Sequence, residues 1–388
     1  MKRVRPGLEL PSAVRVIDTG LAPGTPVLPR HPIPFLDLRT RDEEVPGFSG
    51  NAMFTRDKAF IEQQFAGPVP LKPDPMYLAE EVTMYSGAFW VGGELIHAST
   101  HPNLVPKMLD SVPLMDRLRK IGRLPRMTGT TALVHVPGYR NYFHWIIEAL
   151  PRLLHVRRHM EGGGTVDRVL LPMNEPSRFV MDSIRLFVPE LERLVEFSTK
   201  SNFDLDRAVF FLDWRMDPKV QTRYKDSTAI FADRLARPEG PPRGDRAFLI
   251  SRTDVDNRRL VNEDALCEAL AEWGVEKLVP SKLDVAGQKA LMDQTRLIIG
   301  VHGAGMTNAI FCHPGTAIVE LTSTQYIRRC RSYADPSMYN RMNYGVAVLD
   351  QVGDRWVVEA NKGNDLEIVP ERMGVIRDLV ANLVAAQG

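Results

Sequence analysis

Gly300–Thr316 reads GVHGAGMTNAIFCHPGT and continues the apolar run TRLIIG. A strand feeding a short helix through such a turn presents unpaired N–H groups and about half a positive charge at the helix N-terminus. Gly303 and Gly305, with Ala304 between them, let the backbone approach an anion closely. His302, Thr307 and Asn308 add polar groups, so the turn suits a pyrophosphate. On its own it fits equally well a tight turn whose glycines serve packing. It is not the dinucleotide fingerprint, because G-x-G-x-x-G is absent. HGAG also matches an esterase oxyanion turn, but the chain has no G-x-S-x-G, which removes the hydrolase.

Two further segments carry chemistry. SRTDVDNRRLVNED, Ser251–Asp264, places Arg252, Arg258 and Arg259 after a strand, in a loop facing the same sheet edge as the glycine turn. Guanidinium forks match diphosphate oxygens. Asn262 fits a helix N-cap, with Glu263 and Asp264 in the first turn. NYFHWIIEALPRL sets His144 and Glu148 four apart, hence on one helical face beside Trp145. A partly desolvated carboxylate there can act as general base; His144 can do so too, or can orient a hydroxyl. Metal is disfavoured at His144, Glu148 and His155, because Pro151 interrupts their helix and no further ligand is in view. The acid-x-acid triplets Asp254–Asp256 and Asp204–Asp206 sit beside arginines and read as ordinary surface charge.

In the second half strands alternate with helices from AFLIS through AIVELT, as in a doubly wound nucleotide-binding domain. In the first half, MYSGAFWVGGELIHAST predicts a hairpin. TALVHV, DRVLLP and AVFFLDW then predict strands of a parallel sheet separated by helices. The proline-rich first eighty residues read as extended structure, and RLARPEGPPRGDR, Arg234–Arg246, as a linker. The expected domains are 1–240, 241–345, and a tail at 346–388 made of a hairpin (GVAVLDQVGDRWVVEA) and a last amphipathic helix.

A length of 388 residues favours two domains. The net charge of +1 argues against nucleic-acid binding. Cys267, Cys312 and Cys330 are scattered, odd in number and outside any metal spacing, which fits reduced thiols in a cytoplasmic protein. The N-terminus lacks a signal-peptide apolar core, and no run is long enough to span a bilayer. Peripheral contact with a membrane or an assembly complex stays open.

Taken together, N-x-x-H-W-x-x-E, then S-R…R-R-L-x-N-E, then G-x-H-G-A-G-M-T-N-x-x-F-x-x-P-G…E-L resemble glycosyltransferase family 61, in its bacterial capsular and exopolysaccharide type. The resemblance runs from about Thr131 to Leu321. It implies an α/β, GT-B-like fold of two facing Rossmann-like domains, with a C-terminal helix crossing back to the first. It also implies an inverting transfer, without obligatory metal or cofactor, from a nucleotide-sugar (UDP) donor to a glycan or lipid-linked glycan. Carried over, donor binding falls to Arg252, Arg258, Arg259, the 302–305 turn, Thr307, Asn308 and Glu320, the last for ribose or sugar. Glu148 with His144 is the catalytic pair, with Asn141 and Trp145 on the acceptor side, and domain closure joins the two sets. A sugar-nucleotide epimerase of similar fold, or a non-catalytic nucleotide- or glycan-binding component, is the alternative.

Overall fold

The computed structural model describes residues 10–18, 33–40, 75–100, 104–136, 138–200, 202–212, 244–329, 331–353 and 363–387. Cys330, most of the proline-rich start, most of the expected linker and the second arm of the expected tail hairpin lie outside the described residues. The chain forms two compact units, Met1–Thr25 with Lys72–Arg234 and Pro26–Leu71 with Leu235–Gly388. Both are mixed α/β.

The first unit opens with β1 (Arg15–Asp18); the next strand of the chain, β2 (Phe35–Asp37), belongs to the other unit. β3 (Met76–Tyr85), β4 (Ala88–Val91) and β5 (Glu94–Ile96) form an antiparallel meander. Its turns, Ser86–Gly87 and Gly92–Gly93, all have positive φ, the backbone that matches strand twist in a two-residue hairpin. β6 (Arg126–Leu133), β7 (Arg168–Leu171) and β8 (Val195–Phe197) run parallel to one another. β9 (Phe203–Phe210) joins the halves, antiparallel to β3 and parallel to β6, in the order β5-β4-β3-β9-β6-β7-β8 with β1 on β3. The expected parallel sheet is therefore mixed. Two-residue turns can only reverse a chain, so half of the sheet has to be antiparallel.

Between β6 and β7 the chain is helical from Tyr142 to Glu161. Trp145–Ala149 is one π-turn, closed by Leu150 N–H on the Trp145 carbonyl, and α1 (Leu150–Glu161) follows. Pro151 explains the widened turn: it lacks an N–H for the Ile147 carbonyl and its ring would collide with that oxygen. α2 (Arg178–Phe187) follows β7.

The second unit is a six-stranded parallel sheet. Its strands are β10 (Arg246–Ile250), β11 (Val275–Leu278), β12 (Thr295–Val301), β13 (Ala317–Thr322), β14 (Asn343–Val348) and β2. All neighbours are parallel, in the order β11-β10-β12-β13-β14-β2. Every residue of β13 is buried, as a strand covered on both faces requires. α3 (Glu263–Ala269) and α4 (Val285–Met292) connect the first strands. From β10 to β14 this is the doubly wound order whose switch point lies between the first and third strands, β10 and β12, and ligands of such sheets bind beyond the carboxyl ends there.

Two expectations about the tail are corrected. Its first arm is β14, a parallel strand of the main sheet, and β15 (Asp350–Val352) pairs instead with β16 (Asp365–Glu367). The last helix, α5 (Met373–Ala385), expected to cross back to the first domain, belongs to the second unit. Its face of Ile376, Leu379, Val380 and Leu383 packs into the core formed with β12, β13 and β14, where its apolar area is already spent.

Candidate functional site

At the switch point of the second unit, the end of β10 is fixed from below by a carboxylate. Glu263, buried in the first turn of α3, accepts from Ser251 Oγ (2.8 Å) and from the backbone N–H of Arg252 (3.3 Å). Asn262 stands at the N-cap position, but its amide bonds the backbone of Ile368 rather than capping the helix. Arg252 then folds back, donating from Nη2 to the Asn257 carbonyl (3.1 Å). Arg258 has a positive φ of 52°, donates from Nη1 to the His302 carbonyl (2.7 Å), and lies 4.5 Å over the Tyr326 ring.

The glycine turn is shaped to the first arginine. A Cβ on Gly303 would stand 2.0 Å from Arg252 Nη1, so the bare α-carbon is the seat of that guanidinium. Two guanidiniums thus converge on the 302–303 turn, and neither has a salt bridge to a carboxylate among the described residues. Burial, and then the charge of Arg258, pull the Arg252 pKa down to about 10. Burial likewise lowers that of Arg258. Two half-buried like charges held together without a salt bridge cost stability, offset only in part by the charge of Asp254 near Arg252, and an incoming anion relieves that cost.

His302 is clamped by a buried carboxylate. Its Nδ1 lies 2.6 Å from Glu320 Oε1, and Tyr344 donates its hydroxyl to Glu320 Oε2. Glu320 is fully buried and both its oxygens are engaged, so its expected contact with ribose or sugar is not open to it; it positions His302 instead. Tyr326 lies tilted against the His302 ring, and Tyr333 meets it edge-on while donating to the Gly303 carbonyl (2.7 Å). The Tyr326 hydroxyl is buried and has no hydrogen-bond partner among the described residues.

The remaining donor-site candidates lie elsewhere. Arg259 is exposed and paired with Asp365 (Nη2–Oδ2 2.7 Å). Ala304–Phe311 is a 3₁₀ helix rather than an α-helix, and Asn308 Nδ2 occupies the Gly305 carbonyl that an α-turn would use. Asn308 also bonds Gln288 of α4 (2.7 Å), and both it and Thr307 are buried. Gly305 faces Ile250 and Pro280, so its missing side chain serves packing and not approach to an anion. His313 is buried on Asp293, a structural pair.

On the first unit, His144 Nδ1 meets Glu148 Oε2 at 3.0 Å. The Glu148 side chain is 5 % exposed and that of His144 29 %, so the carboxylate stands behind the imidazole. Gly138 makes this possible, with φ 86° and an α-carbon where a Cβ would lie 2.9 Å from His144 Cδ2. Asn141 caps the helix, accepting from Phe143 N–H (2.9 Å). Trp145 is fully buried and donates to Ser183 of α2 (2.7 Å); it is core, with no surface left for an acceptor.

The acid triplets are occupied as well. Asp254 accepts from Ser281, while Asp204 and Asp206 pair with Arg119 and Arg126. Among the described residues no three His, Cys, Asp or Glu side chains are grouped to hold a metal ion, and no helix is long and apolar enough to cross a membrane.

Residues 142–319 match the family model of glycosyltransferase 61. The matched segment is under half of the 388-residue chain. It holds His144, Glu148, Arg252, Arg258 and His302, and it supports the family resemblance read from the same residues. No curated protein matches the chain. Spacing did not single out Tyr326, Tyr333 and Tyr344, because nothing in their neighbourhoods repeats or punctuates. Glu263 lies within the arginine motif, but its position in the sequence indicates only an acid at a helix start.

Proposed function

We propose that the protein is an inverting glycosyltransferase that moves a sugar from a nucleotide-sugar donor, a UDP-sugar, to a glycan acceptor in surface polysaccharide synthesis. The observation that carries the reading is the pair of half-buried guanidiniums, Arg252 and Arg258, without a salt bridge among the described residues at the switch point of a parallel sheet. A diphosphate supplies the missing charge, and the family match over 142–319 makes a sugar diphosphate the natural one.

The acceptor hydroxyl gives its proton to the His144–Glu148 pair while its oxygen attacks the anomeric carbon. The bond from that carbon to the diphosphate oxygen breaks. The charge left on the diphosphate is taken up by Arg252, Arg258 and the amides following His302. Neutralisation by guanidinium and backbone, with no metal required, is part of the proposal.

Incubation with a panel of UDP-sugars tests it. Release of UDP that is abolished by Arg252→Ala and by Glu148→Gln supports the transferase. Conversion of the sugar without UDP release identifies an epimerase. Release that needs neither residue overturns the proposal.

A further inference from the structure

The His302–Glu320–Tyr344 cluster has a consequence for ligand chemistry that rests on the donor-site reading above and narrows it. Glu320 stands on β13 with one oxygen against His302 Nδ1 and the other accepting from Tyr344 of β14. Between a carboxyl and an imidazole the shared proton resides on nitrogen, the stronger base. That makes Nδ1 the protonated nitrogen and leaves Nε2 with its lone pair. Turning the ring to exchange the two would give up the bond to Glu320, and Tyr326 and Tyr333 flank the ring in its present orientation. Nε2 has no hydrogen-bond partner among the described residues, yet it is not among the fully enclosed unpartnered atoms, and His302 keeps 6 % exposure.

We infer that His302 is a neutral hydrogen-bond acceptor that recognises a hydroxyl group of the ligand beside the diphosphate, rather than a cation that holds a phosphate oxygen. The phosphates of a nucleotide-sugar, esterified at both ends, carry no proton to give at neutral pH, so their contact with a lone pair is repulsive. A ribose or sugar hydroxyl supplies the needed O–H. The groups facing the ring agree. Burial lowers the imidazole pKa, Glu320 opposes that, and the guanidiniums of Arg258 and Arg329 lower it further. A second positive charge here would stand against the Arg252–Arg258 pair that already awaits an anion. The arrangement therefore divides the labour, with arginines for the diphosphate and His302 for a hydroxyl next to it.

Two measurements on the full chain test this. The first is the ring nitrogen spectrum of ¹⁵N-histidine-labelled protein without ligand, with His302 assigned by its loss in His302→Gln. The expected result is protonated Nδ1 and unprotonated Nε2 from pH 8 down to pH 6; a protonated Nε2 in that range overturns the inference. The second is calorimetric titration of wild type, His302→Phe and His302→Gln with pyrophosphate, UDP, 2′-deoxy-UDP, 3′-deoxy-UDP and UDP-glucose, each variant first checked for wild-type thermal unfolding. Pyrophosphate affinity is expected to change less than about threefold in His302→Phe, and its pH dependence between pH 8 and 6, where pyrophosphate itself gains a proton, should be the same in wild type and in His302→Phe. At least one hydroxyl-bearing probe should lose about tenfold in His302→Phe, the order of one hydrogen bond. His302→Gln, whose amide oxygen can accept, should recover part of that loss.

A penalty in wild type for a deoxy-UDP, absent in His302→Phe, assigns the ribose; a loss confined to UDP-glucose assigns the sugar. Pyrophosphate binding that tightens about tenfold on acidification in wild type but not in His302→Phe overturns the inference and leaves the donor site standing. If none of the diphosphates binds, the donor-site reading falls and takes the hydroxyl contact with it, while the nitrogen spectrum still decides the tautomer independently.

Discussion

Replacing Arg252 by methionine should weaken diphosphate binding without harming the fold. Lowering the guanidinium pKa from its ordinary value to about 10 corresponds, at about 1.4 kcal/mol per pH unit, to a penalty of roughly 3 kcal/mol on the charged form. Arg252 is only partly enclosed, so solvent screening reduces this to about 1–3 kcal/mol. Methionine removes that penalty, keeps most of the side-chain length, and forfeits the bond to the Asn257 carbonyl, worth about 1 kcal/mol. The net change is between nothing and a gain of about 2 kcal/mol, which in a unit of this size is a rise of up to several degrees in Tm. The cost falls on binding. One or two charge-assisted hydrogen bonds at about 1.5–3 kcal/mol each weaken pyrophosphate or UDP by at least about tenfold. Thermal unfolding and calorimetric titration on the same preparations read both quantities. A fall in Tm of more than about 5 °C with unchanged pyrophosphate affinity would refute the reasoning and make Arg252 a structural residue.

Gly303→Ala sits on extended backbone, so it adds no strain of its own. Its methyl displaces the Arg252 guanidinium and should reproduce most of the binding loss of Arg252→Met in the same titration. Trp145→Phe removes a buried hydrogen bond to Ser183; it should destabilise by about 1–3 kcal/mol in thermal unfolding while pyrophosphate affinity stays within about threefold. UDP release, once a donor is found, should persist in excess chelator, because guanidinium and backbone carry the charge in the proposal. The low pKa of Arg252 also sets a pH dependence. In the folded state it loses its proton around pH 10, earlier than in the unfolded chain, so between these values the unfolded chain binds more protons and this group adds stability as pH rises. Diphosphate affinity runs the opposite way, weakening above about pH 10 as the cation is lost.

The two units differ in how much of them the sequence discloses. β10 to β13 read directly, because strands buried on both faces are short apolar runs set off by helices; LIIGV and AIVELT admit little else. That the arginine loop and the glycine turn share one sheet edge follows from strand order alone, and the structure brings Arg252, Arg258 and the 302–303 turn together as that order requires. What stays hidden is pairing across long separations. Asp365 takes Arg259 from 106 residues away, Tyr344 reaches Glu320 over 24, and Phe35–Asp37 extends a sheet whose other strands begin at Arg246. Spacing along the chain reports the face a residue occupies, not the partner waiting there.

The same limit explains the residues that changed role. Glu320, Thr307 and Asn308 are polar side chains next to a ligand-binding turn, and in sequence they look like ligand contacts. In the fold all three are inside, where an unpaired polar group costs about 1–3 kcal/mol, and the hydrogen-bonding capacity of Glu320 and Asn308 goes into holding the turn itself. One such displacement was legible. Pro151, two residues after Ala149, forbids a regular turn at Ile147, and the resulting π-turn spans Glu148 while His144 stands just before it. The helix that carries the candidate base is thus irregular where its chemistry lies, and the proline that makes it so is visible in the sequence. Pro151→Ala separates geometry from chemistry: it restores the missing N–H and favours a regular α-turn. If the π-turn sets the His144–Glu148 pair, the variant should gain stability in thermal unfolding and lose UDP release. Retention of both wild-type values would show that the pair does not depend on the turn.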